Sequence, residues 1–247
     1  MMRCVMAVLW LLALCAQAGA AAALETRRVA RDGALFDVVI IDLRRVELHV
    51  YSKDARGEHL GSFARLAQHL AQQGKPLLAA TNAGIFEPGF VATGLHVERG
   101  RVLRPLNLAA GQGNFFMQPN GVFFLGPRGA AIAPSPRYPA LASGVVEATQ
   151  SGPLLLHEGR VPGVLSPRSQ NRKLRSGIGV ISPTRVALAI SRGAVTFHAL
   201  AQVFAVDLGC RDALYLDGTI SDLYAPALGR GASVEKRFAG LLGVTPR

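Results

Sequence analysis

The chain contains little cysteine, and this scarcity limits how it can be stabilised. Its 247 residues include three cysteines, Cys4, Cys15 and Cys210. The first two lie in an N-terminal segment that we expect to be removed, so the remaining chain has one thiol and no internal disulfide. Free cysteine is among the most buried residue types, so we expect Cys210 to fill a core position instead of acting as a nucleophile.

Long apolar runs are also missing, which argues against a membrane-spanning protein. The stretch from Cys4 to Cys15 is apolar and follows the basic start Met1-Met-Arg3, but a spanning helix needs about 20 residues. Ala18-Gly19-Ala20 offers a small-x-small cleavage site. These features predict a signal peptide over residues 1–22. The mature chain, 23–247, is then exported, to a periplasm or beyond the cell, without a transmembrane segment.

Charge is sparse and one-sided. Charged residues make up 17% of the chain and hydrophobic residues 50%, which excludes wholesale disorder and allows one sizeable core. The formal net charge is +11, and only four of the basic residues are lysines. A basic surface favours anionic partners such as phosphorylated glycans. No basic run is interleaved with aromatic residues, so we expect no nucleic-acid partner.

Histidine is scattered without the spacing of metal ligands, so the sequence predicts no bound metal and no cofactor. A divalent cation held by Asp217 and Asp222 with main-chain carbonyls is chemically conceivable, but nothing in the pattern requires it.

The apolar pattern predicts a single α+β domain with a mixed, mostly buried β-sheet and a few short helices. Residues 34–42, Ala-Leu-Phe-Asp-Val-Val-Ile-Ile-Asp, are mostly apolar and predict a buried strand. Residues 46–51 alternate and predict a half-exposed strand beside it. Two amphipathic helices are expected, one after the cap residue Ser62 and one over 198–208. The core is expected over about 35–228, with a loosely held tail after Arg230.

One strand ending carries the main candidate for chemistry. Residues 213–216 are apolar and are followed by Asp217-Gly218-Thr219 and then Ser221. A carboxylate at a strand end beside a glycine turn is held by a rigid scaffold, where catalytic groups commonly lie. The simpler interpretation is an ordinary strand and turn with a capping aspartate.

Three other strand endings have a similar character. Asn82-Ala83-Gly84 follows a short buried strand, Gln150-Ser151-Gly152-Pro153 precedes another, and Arg175 leads into a third. Each glycine lets the main chain approach another group closely. An Asx turn would explain Asn82 equally well, and an ordinary surface position would explain Arg175. No Gly-x-Ser-x-Gly elbow supports a serine hydrolase.

Taken in order, these motifs resemble the phosphodiester glycosidase family. They are Asn-Ala-Gly-x-Phe at 82–86, Gln-Ser-Gly-Pro at 150–153, Arg175 before Ile-Gly-Val, and Leu-Asp-Gly-x-x-Ser at 216–221. The resemblance spans about residues 35–228. One departure is Thr219. It stands where family members with the motif Asp-Gly-Gly-x-Ser carry a second glycine.

The resemblance implies hydrolysis of a sugar-1-phosphodiester. Phosphate leaves more readily than an alcohol, so one carboxylate, Asp217, could suffice as base or nucleophile. Arg175 would neutralise the departing phosphate. Substrate contacts are then expected from the remaining motif residues, namely Asn82, Gly84, Gln150, Ser151, Gly152, Thr219 and Ser221.

Two alternatives remain open from the sequence. The chain could be a glycan-binding module of the same fold without turnover, or a hydrolase of another bond in a cell-envelope glycan.

Overall fold

The computed structural model describes residues 23–218, 220–233 and 237–247. The expected signal peptide, residues 1–22, and Thr219 lie outside the described residues. The described strands, in chain order, are β1 (Leu24–Arg31), β2 (Ala34–Asp42), β3 (Val46–Tyr51), β4 (Ala79–Asn82), β5 (Phe86–Glu87), β6 (Val91–Ala92), β7 (His96–Glu98), β8 (Arg101–Arg104), β9 (Gly121–Gly126), β10 (Gly129–Pro134), β11 (Glu147–Ser151), β12 (Leu154–Leu156), β13 (Ser176–Ser182), β14 (Arg185–Ser191), β15 (Asp212–Asp217), β16 (Leu223–Tyr224) and β17 (Leu241–Pro246).

Helices are few and short, as the sequence predicts. Helix α1 (Phe63–Ala71) and helix α2 (Phe197–Gln202) begin at Ser62 and Thr196, whose hydroxyls accept hydrogen bonds from main-chain N–H groups of the first turn. Helix α2 continues as a π-helical turn over Val203–Asp207. The described 3₁₀ turns are Asn114–Phe116, Ser135–Leu141 and Pro226–Leu228.

Three sheets and a small ribbon make up the described fold. The six-stranded sheet has the order β1-β2-β14-β13-β15-β12, the five-stranded sheet β10-β9-β11-β7-β8 and the four-stranded sheet β16-β4-β17-β3, while β5 and β6 form the ribbon. Every described strand pair is antiparallel. The α+β class is confirmed. The expectation of a mixed sheet is corrected, because a mixed sheet needs parallel as well as antiparallel pairs and all the described pairs are antiparallel.

The six-stranded sheet is buried on both faces, and β2 shows why its sequence is mostly apolar, with Val38 to Ile41 in an unbroken run. Val39 and Ile41 point to a central core shared by the three sheets. Val38 and Ile40 point to the opposite face, which helix α2 and the π-helical turn cover. Successive side chains of a strand alternate between faces, so burial of both faces favours apolar residues at successive positions.

The four-stranded sheet corrects two predictions. Strand β3 pairs with β17, not with β2, and the residues after Arg230 are not a loose tail, because β17 lies between β4 and β3. Leu242 and Val244 of β17 are completely buried in the central core. The C-terminal strand therefore holds the sheet together from the inside.

Helix α1 covers the outer face of this sheet, where Phe63, Leu66 and Leu70 are buried. The predicted burial of Cys210 is confirmed, since it is 4% exposed under the π-helical turn.

We expect Leu242→Ala to lower the free energy of unfolding by about 3 kcal/mol, because it removes a buried side chain and leaves a cavity. Urea denaturation measures the change. Leu108→Ala is the matched control, since Leu108 is 58% exposed and should change stability by less than about 0.5 kcal/mol. Equal effects of the two substitutions would contradict a structural role for β17.

Candidate active site

Strand ends from all three sheets meet at one edge of the molecule. Asn82 ends β4 and Asp217 ends β15, while Ser176 begins β13 and pairs with Asp217. Gln150 and Ser151 end β11. The four motifs thus come together in space, although residues 82 and 221 are far apart in the chain. Hydrogen bonds among these segments, described below, join them directly.

A cleft of about 540 Å³ opens at this edge. Two carboxylates, Glu87 and Asp217, and one ammonium group, Lys173, contribute to its wall. The other lining residues are Ile85, Phe86, Pro88, Asn114, Asn171, Tyr215, Gly218 and Ile220. The cleft therefore combines the apolar and polar surfaces expected of a site for a small ligand.

Asp217 is held at the rim by the turn that follows it. Its side chain is half-buried, and its Oδ1 accepts a hydrogen bond from the Gly218 N–H. The Ser221 hydroxyl donates to the main-chain carbonyl of Asp217. A Cβ at Gly218 would lie 2.6 Å from the Tyr215 hydroxyl, so glycine lets the turn pass close to the cleft wall. Asp217 thus has a defined position at the end of a rigid strand.

Asn82 lies below the cleft and joins two sheets. Its Oδ1 accepts a hydrogen bond from the Asp222 N–H at 3.3 Å and lies 3.1 Å from Ser176 Oγ. Thr81 Oγ1 is 3.3 Å from the same oxygen, but its proton has a shorter acceptor in the carbonyl of Asp222, at 2.9 Å. Its Nδ2 donates to the carbonyl of Ala83 at 3.1 Å. The main-chain donor of Asp222 and the carbonyl acceptor of Ala83 together fix which end of the amide is oxygen.

Ser176 and Ser221 extend this network towards Asp217. Their Oγ atoms are 2.8 Å apart, and both side chains are buried. Each hydroxyl has one proton, so when Ser221 donates to the carbonyl of Asp217, the single proton of Ser176 is shared between two acceptors, Ser221 Oγ and Asn82 Oδ1. The pair connects Asn82 to the Asp217 turn.

Gly84 and Ser151 fasten the segment after β4 to β11 and β15. The Gly84 N–H donates to Thr149 Oγ1 at 3.0 Å, and the Ile85 N–H donates to Ser151 Oγ at 3.3 Å. Ser151 Oγ donates in turn to the carbonyl of Leu216 at 3.0 Å. A Cβ at Gly84 would lie 2.1 Å from the carbonyl oxygen of Gln150. Only glycine fits this approach.

Gln150 is saturated with protein partners. Its Oε1 accepts from the N–H groups of Leu95 and Asn107, both at 2.9 Å. Its Nε2 donates to the carbonyl of Asn107 at 2.7 Å and to Ser135 Oγ at 3.0 Å. These four bonds use the whole capacity of the amide. Gln150 is thus placed as a cross-link between loops.

Gly152 also serves close packing. A Cβ there would lie 2.6 Å from the carbonyl oxygen of Phe115 and 2.7 Å from Cβ of Asn120. Asn82, Gln150, Ser151, Gly152 and Ser221 do not belong to the described cleft lining. Direct substrate contact by these residues stays a prediction.

Arg175 is completely buried, beside the cleft instead of in its wall. Its guanidinium carbon lies 3.5 Å from the ring centroid of Phe197. Nε donates to the carbonyl of Val195 at 2.9 Å, and Nη2 donates to the carbonyl and Oδ1 of Asn171 at 3.0 and 3.1 Å. Burial lowers the pKa of Arg175 from its ordinary value. Through Asn171, the guanidinium anchors the loop that carries Lys173 to the cleft.

Tyr215 stands between this buried cation and the cleft. Its ring packs edge-on against Phe197, and the Arg175 guanidinium carbon lies 5.5 Å from its centroid. Burial raises the pKa of Tyr215 above its ordinary value, and the nearby Arg175 guanidinium offsets only part of the rise. The phenol therefore stays protonated at neutral pH and can act as a hydrogen-bond donor.

Sequence reasoning assigned no role to Tyr215, Glu87 or Lys173. Tyr215 lies in the mostly apolar run 213–216, which predicts a buried strand and not a cleft residue. Glu87 follows the Asn82 motif within a few residues, and Lys173 precedes Arg175 by two. The closeness of Glu87 and Lys173 to these motifs in the chain was the signal that could have identified them as cleft residues.

Two features are absent from the described part of the chain. No helix there is long and apolar enough to cross a bilayer. No group of three or more histidine, cysteine, aspartate or glutamate side chains there is arranged to hold a metal ion.

The sequence profile of the phosphodiester glycosidase family matches residues 75–237. This range includes Asn82, Gln150, Arg175 and Asp217. The chain belongs to the phosphodiester glycosidase family.

Similar proteins agree with this assignment. The uncharacterized protein YigE of Escherichia coli K12 is 32% identical over 175 residues, which cover 71% of this chain and 68% of the relative. The catalytic domain of zebrafish N-acetylglucosamine-1-phosphodiester alpha-N-acetylglucosaminidase, auto-inhibited by its pro-peptide, has the same fold. The TM-score is 0.64 at 13% identity, over 91% of this chain and 82% of that one.

A protein of Burkholderia pseudomallei K96243 for which export has been proposed is also similar in structure. Its TM-score is 0.53 at 14% identity, over 86% of this chain and 74% of that one. At this identity the likeness shows a shared fold.

We expect Gly84→Ala to destabilise the protein by about 3 kcal/mol or more, because the new methyl group collides with the main chain of β11. Thermal or urea unfolding measures the loss. Gly163→Ala is the control, since nothing lies within 4 Å of a Cβ at that position. A Gly84→Ala protein as stable as the control would disprove the close approach.

We expect Arg175→Lys to lower the free energy of unfolding by about 2 kcal/mol, because an ammonium group cannot stack on Phe197 and bridge Val195 to Asn171. The exposed neighbour Arg172 supplies the control substitution, Arg172→Lys, which should be neutral. Urea denaturation distinguishes the two. A neutral Arg175→Lys would show that the guanidinium contacts contribute little to stability.

Proposed function

We propose that this protein is an exported hydrolase that cleaves the bond between the anomeric carbon of a sugar and a phosphodiester. Family membership supports the reaction class. The single observation that carries the assignment to this chain is Asp217, held by Gly218 and Ser221 at the rim of a cleft that also presents Lys173. The zebrafish relative is named for the same bond type.

Asp217 is the carboxylate that acts on the sugar. Water, or Asp217 itself, adds to the anomeric carbon while the bond from that carbon to the phosphate oxygen breaks. As a base, Asp217 takes the proton of the attacking water. As a nucleophile, it forms a glycosyl ester that water then hydrolyses. The configuration of the released sugar distinguishes the two routes, since the first inverts and the second retains it.

The leaving group is a phosphate monoester, which departs without being protonated by an acid because its charge is spread over several oxygens. The charge is met in the cleft by Lys173. Tyr215, protonated in this setting, can donate a hydrogen bond to a phosphate oxygen. Arg175 then acts indirectly. It holds Asn171 and the loop that bears Lys173, and it lies behind the Tyr215 ring.

Glu87 is a second carboxylate in the cleft, but its position is less suited to the primary step. It is exposed and belongs to the two-residue strand β5. Asp217 ends a six-residue strand that is paired on both sides, with β13 and β12, in the buried sheet. A nucleophile or base needs a fixed position relative to the reacting carbon, so Asp217 is assigned the primary role.

Export is part of the proposal. The basic start and apolar stretch of residues 1–22 support it, as does the proposed export of the structurally similar Burkholderia protein. The substrate is then a glycan of the cell envelope or of the surroundings.

We expect Asp217→Asn to reduce turnover of a chromogenic sugar-1-phosphodiester by about 10³-fold or more, because the amide keeps the shape but cannot serve as base or nucleophile. Glu87→Gln makes the same charge change in the same cleft and should cost much less. Thermal unfolding checks that both proteins remain folded, and product analysis should find free sugar and a phosphomonoester.

Three results would overturn the assignment. An Asp217→Asn protein with normal turnover would remove Asp217 from the chemistry. A larger loss for Glu87→Gln would transfer the primary role to that residue. A wild-type protein that binds the substrate and never converts it would be a glycan-binding module.

A further inference from the structure

A second groove lies on the other side of the β5–β6 ribbon from the catalytic cleft. Its volume is about 410 Å³, and the ribbon contributes Gly89, Phe90, Val91 and Ala92 to its wall. The same ribbon presents Phe86, Glu87 and Pro88 to the catalytic cleft. A smaller cavity of about 270 Å³ continues the groove and shares His59 and Phe90 with it. The β5–β6 ribbon thus separates the catalytic cleft from the groove, and both are large enough for a small ligand.

The groove is positively charged. Lys53 and Arg104 contribute to the wall of the larger space, and Arg65 and Arg237 to that of the smaller one. The acidic residue lining these spaces is Glu58. Within the described residues, none of the four cations has a carboxylate oxygen within 4.0 Å. Four cations against one carboxylate favour an anionic ligand.

The floor shared by the two spaces is aromatic. The Phe90 ring lies 5.1 Å from the His59 ring and 6.1 Å from the Phe86 ring, between centroids. Nδ1 of His59 is buried and has no described hydrogen-bond partner. Aromatic faces stack on the apolar face of a sugar ring, and a polar ring atom beside them offers a hydrogen bond to a hydroxyl.

Phe90 adopts a strained conformation that keeps its ring there. Its φ is +60°, a region that bulky residues rarely enter and that costs of order 1–3 kcal/mol. Such strain persists where the surrounding structure holds a residue in place, and it clusters at functional sites. Gly89, the preceding residue, also has a positive φ of 82°. The tip of the ribbon is shaped to present Phe90.

We propose that this groove is a second binding site for the same glycan, and that it takes a phosphate-bearing sugar unit further along the chain from the bond that is cleaved. The inference rests on the proposed function for the identity of the glycan. Lys53 and Arg104 bind the phosphate of the remote unit, and Phe90 with His59 stacks on its sugar. A polymer of sugar-1-phosphodiester repeats crosses the β5–β6 ribbon and occupies both spaces at once.

The second site makes the protein favour polymers over single units. A substrate with one phosphodiester reaches only the catalytic cleft, whereas a longer one gains the remote contacts as well. Because exposed ionic contacts are screened by salt, the advantage of the polymer should shrink as ionic strength rises.

The experiment measures binding of two fluorescent probes to the full chain carrying Asp217→Asn, which prevents turnover. One probe has three sugar-1-phosphodiester units and the other has one. Lys53→Gln with Arg104→Gln should weaken binding of the three-unit probe about fivefold at low salt, since exposed ion pairs contribute modestly, and should leave the one-unit probe unchanged. Phe90→Gly, which accepts the positive φ but removes the ring, should also weaken only the longer probe.

A matched control removes the same charge elsewhere. Arg128→Gln with Arg160→Gln also lowers the net charge by two, and both arginines are exposed and lie outside the groove lining. This control should bind both probes as the parent does. In the chain with Asp217 intact, turnover of the one-unit substrate should be unaffected by the groove substitutions.

Each other outcome counts against the site. The proposal is overturned if the groove variants bind the three-unit probe as tightly as the parent, if the control loses as much, or if no variant binds it. It is also overturned if a single-stranded oligonucleotide of equal charge binds the groove more tightly than the glycan probe. Failure of the proposed function would give a different result. The unmodified chain would then show no turnover, while probe binding would still respond to the groove substitutions.

Discussion

The arrangement of the active site depends on the carboxamide oxygen of Asn82. This one atom accepts a hydrogen bond from the Asp222 N–H in the segment after Asp217. It also lies within hydrogen-bond distance of the hydroxyls of Ser176, in the six-stranded sheet, and Thr81, in the four-stranded sheet. A buried acceptor of this kind is costly to lose, because the Asp222 N–H would be left without its partner. The turn that carries Asp217 is therefore tied to the packing of two sheets.

The second constraint is the burial of charged side chains, namely Arg175 and Asp37. Arg175 rests on Phe197 and holds the loop of Asn171. Asp37 is buried in the six-stranded sheet. Burial alone raises its pKa, but hydrogen bonds from Arg230 and Arg192 more than offset this, so the pKa is below its ordinary value. Arg230 also lies 3.7 Å from Asp222. Some of the arginines thus stabilise the scaffold behind the site. Other basic residues line the cleft and the groove.

Many elements could be predicted because their signals are local. Strands β2, β13 and β14 and helix α1 follow from apolar runs, turn residues and the Ser62 cap. Pairing is different, since an alternating strand such as β3 does not specify its neighbour. Strand β17 was missed because its burial comes from β3 and β4, which are distant in sequence. A local pattern cannot show which strand occupies the centre of a sheet.

The sequence by itself determined the family and the α+β class, because the motifs and apolar runs that carry them are local and ordered along the chain. Only the tertiary structure decided what each side chain faces. Arg175 and Lys173 are two residues apart, yet one is sealed against Phe197 and the other lines the cleft. Whether a charged group meets ligand or protein depends on the elements packed around it, and those come from distant parts of the chain.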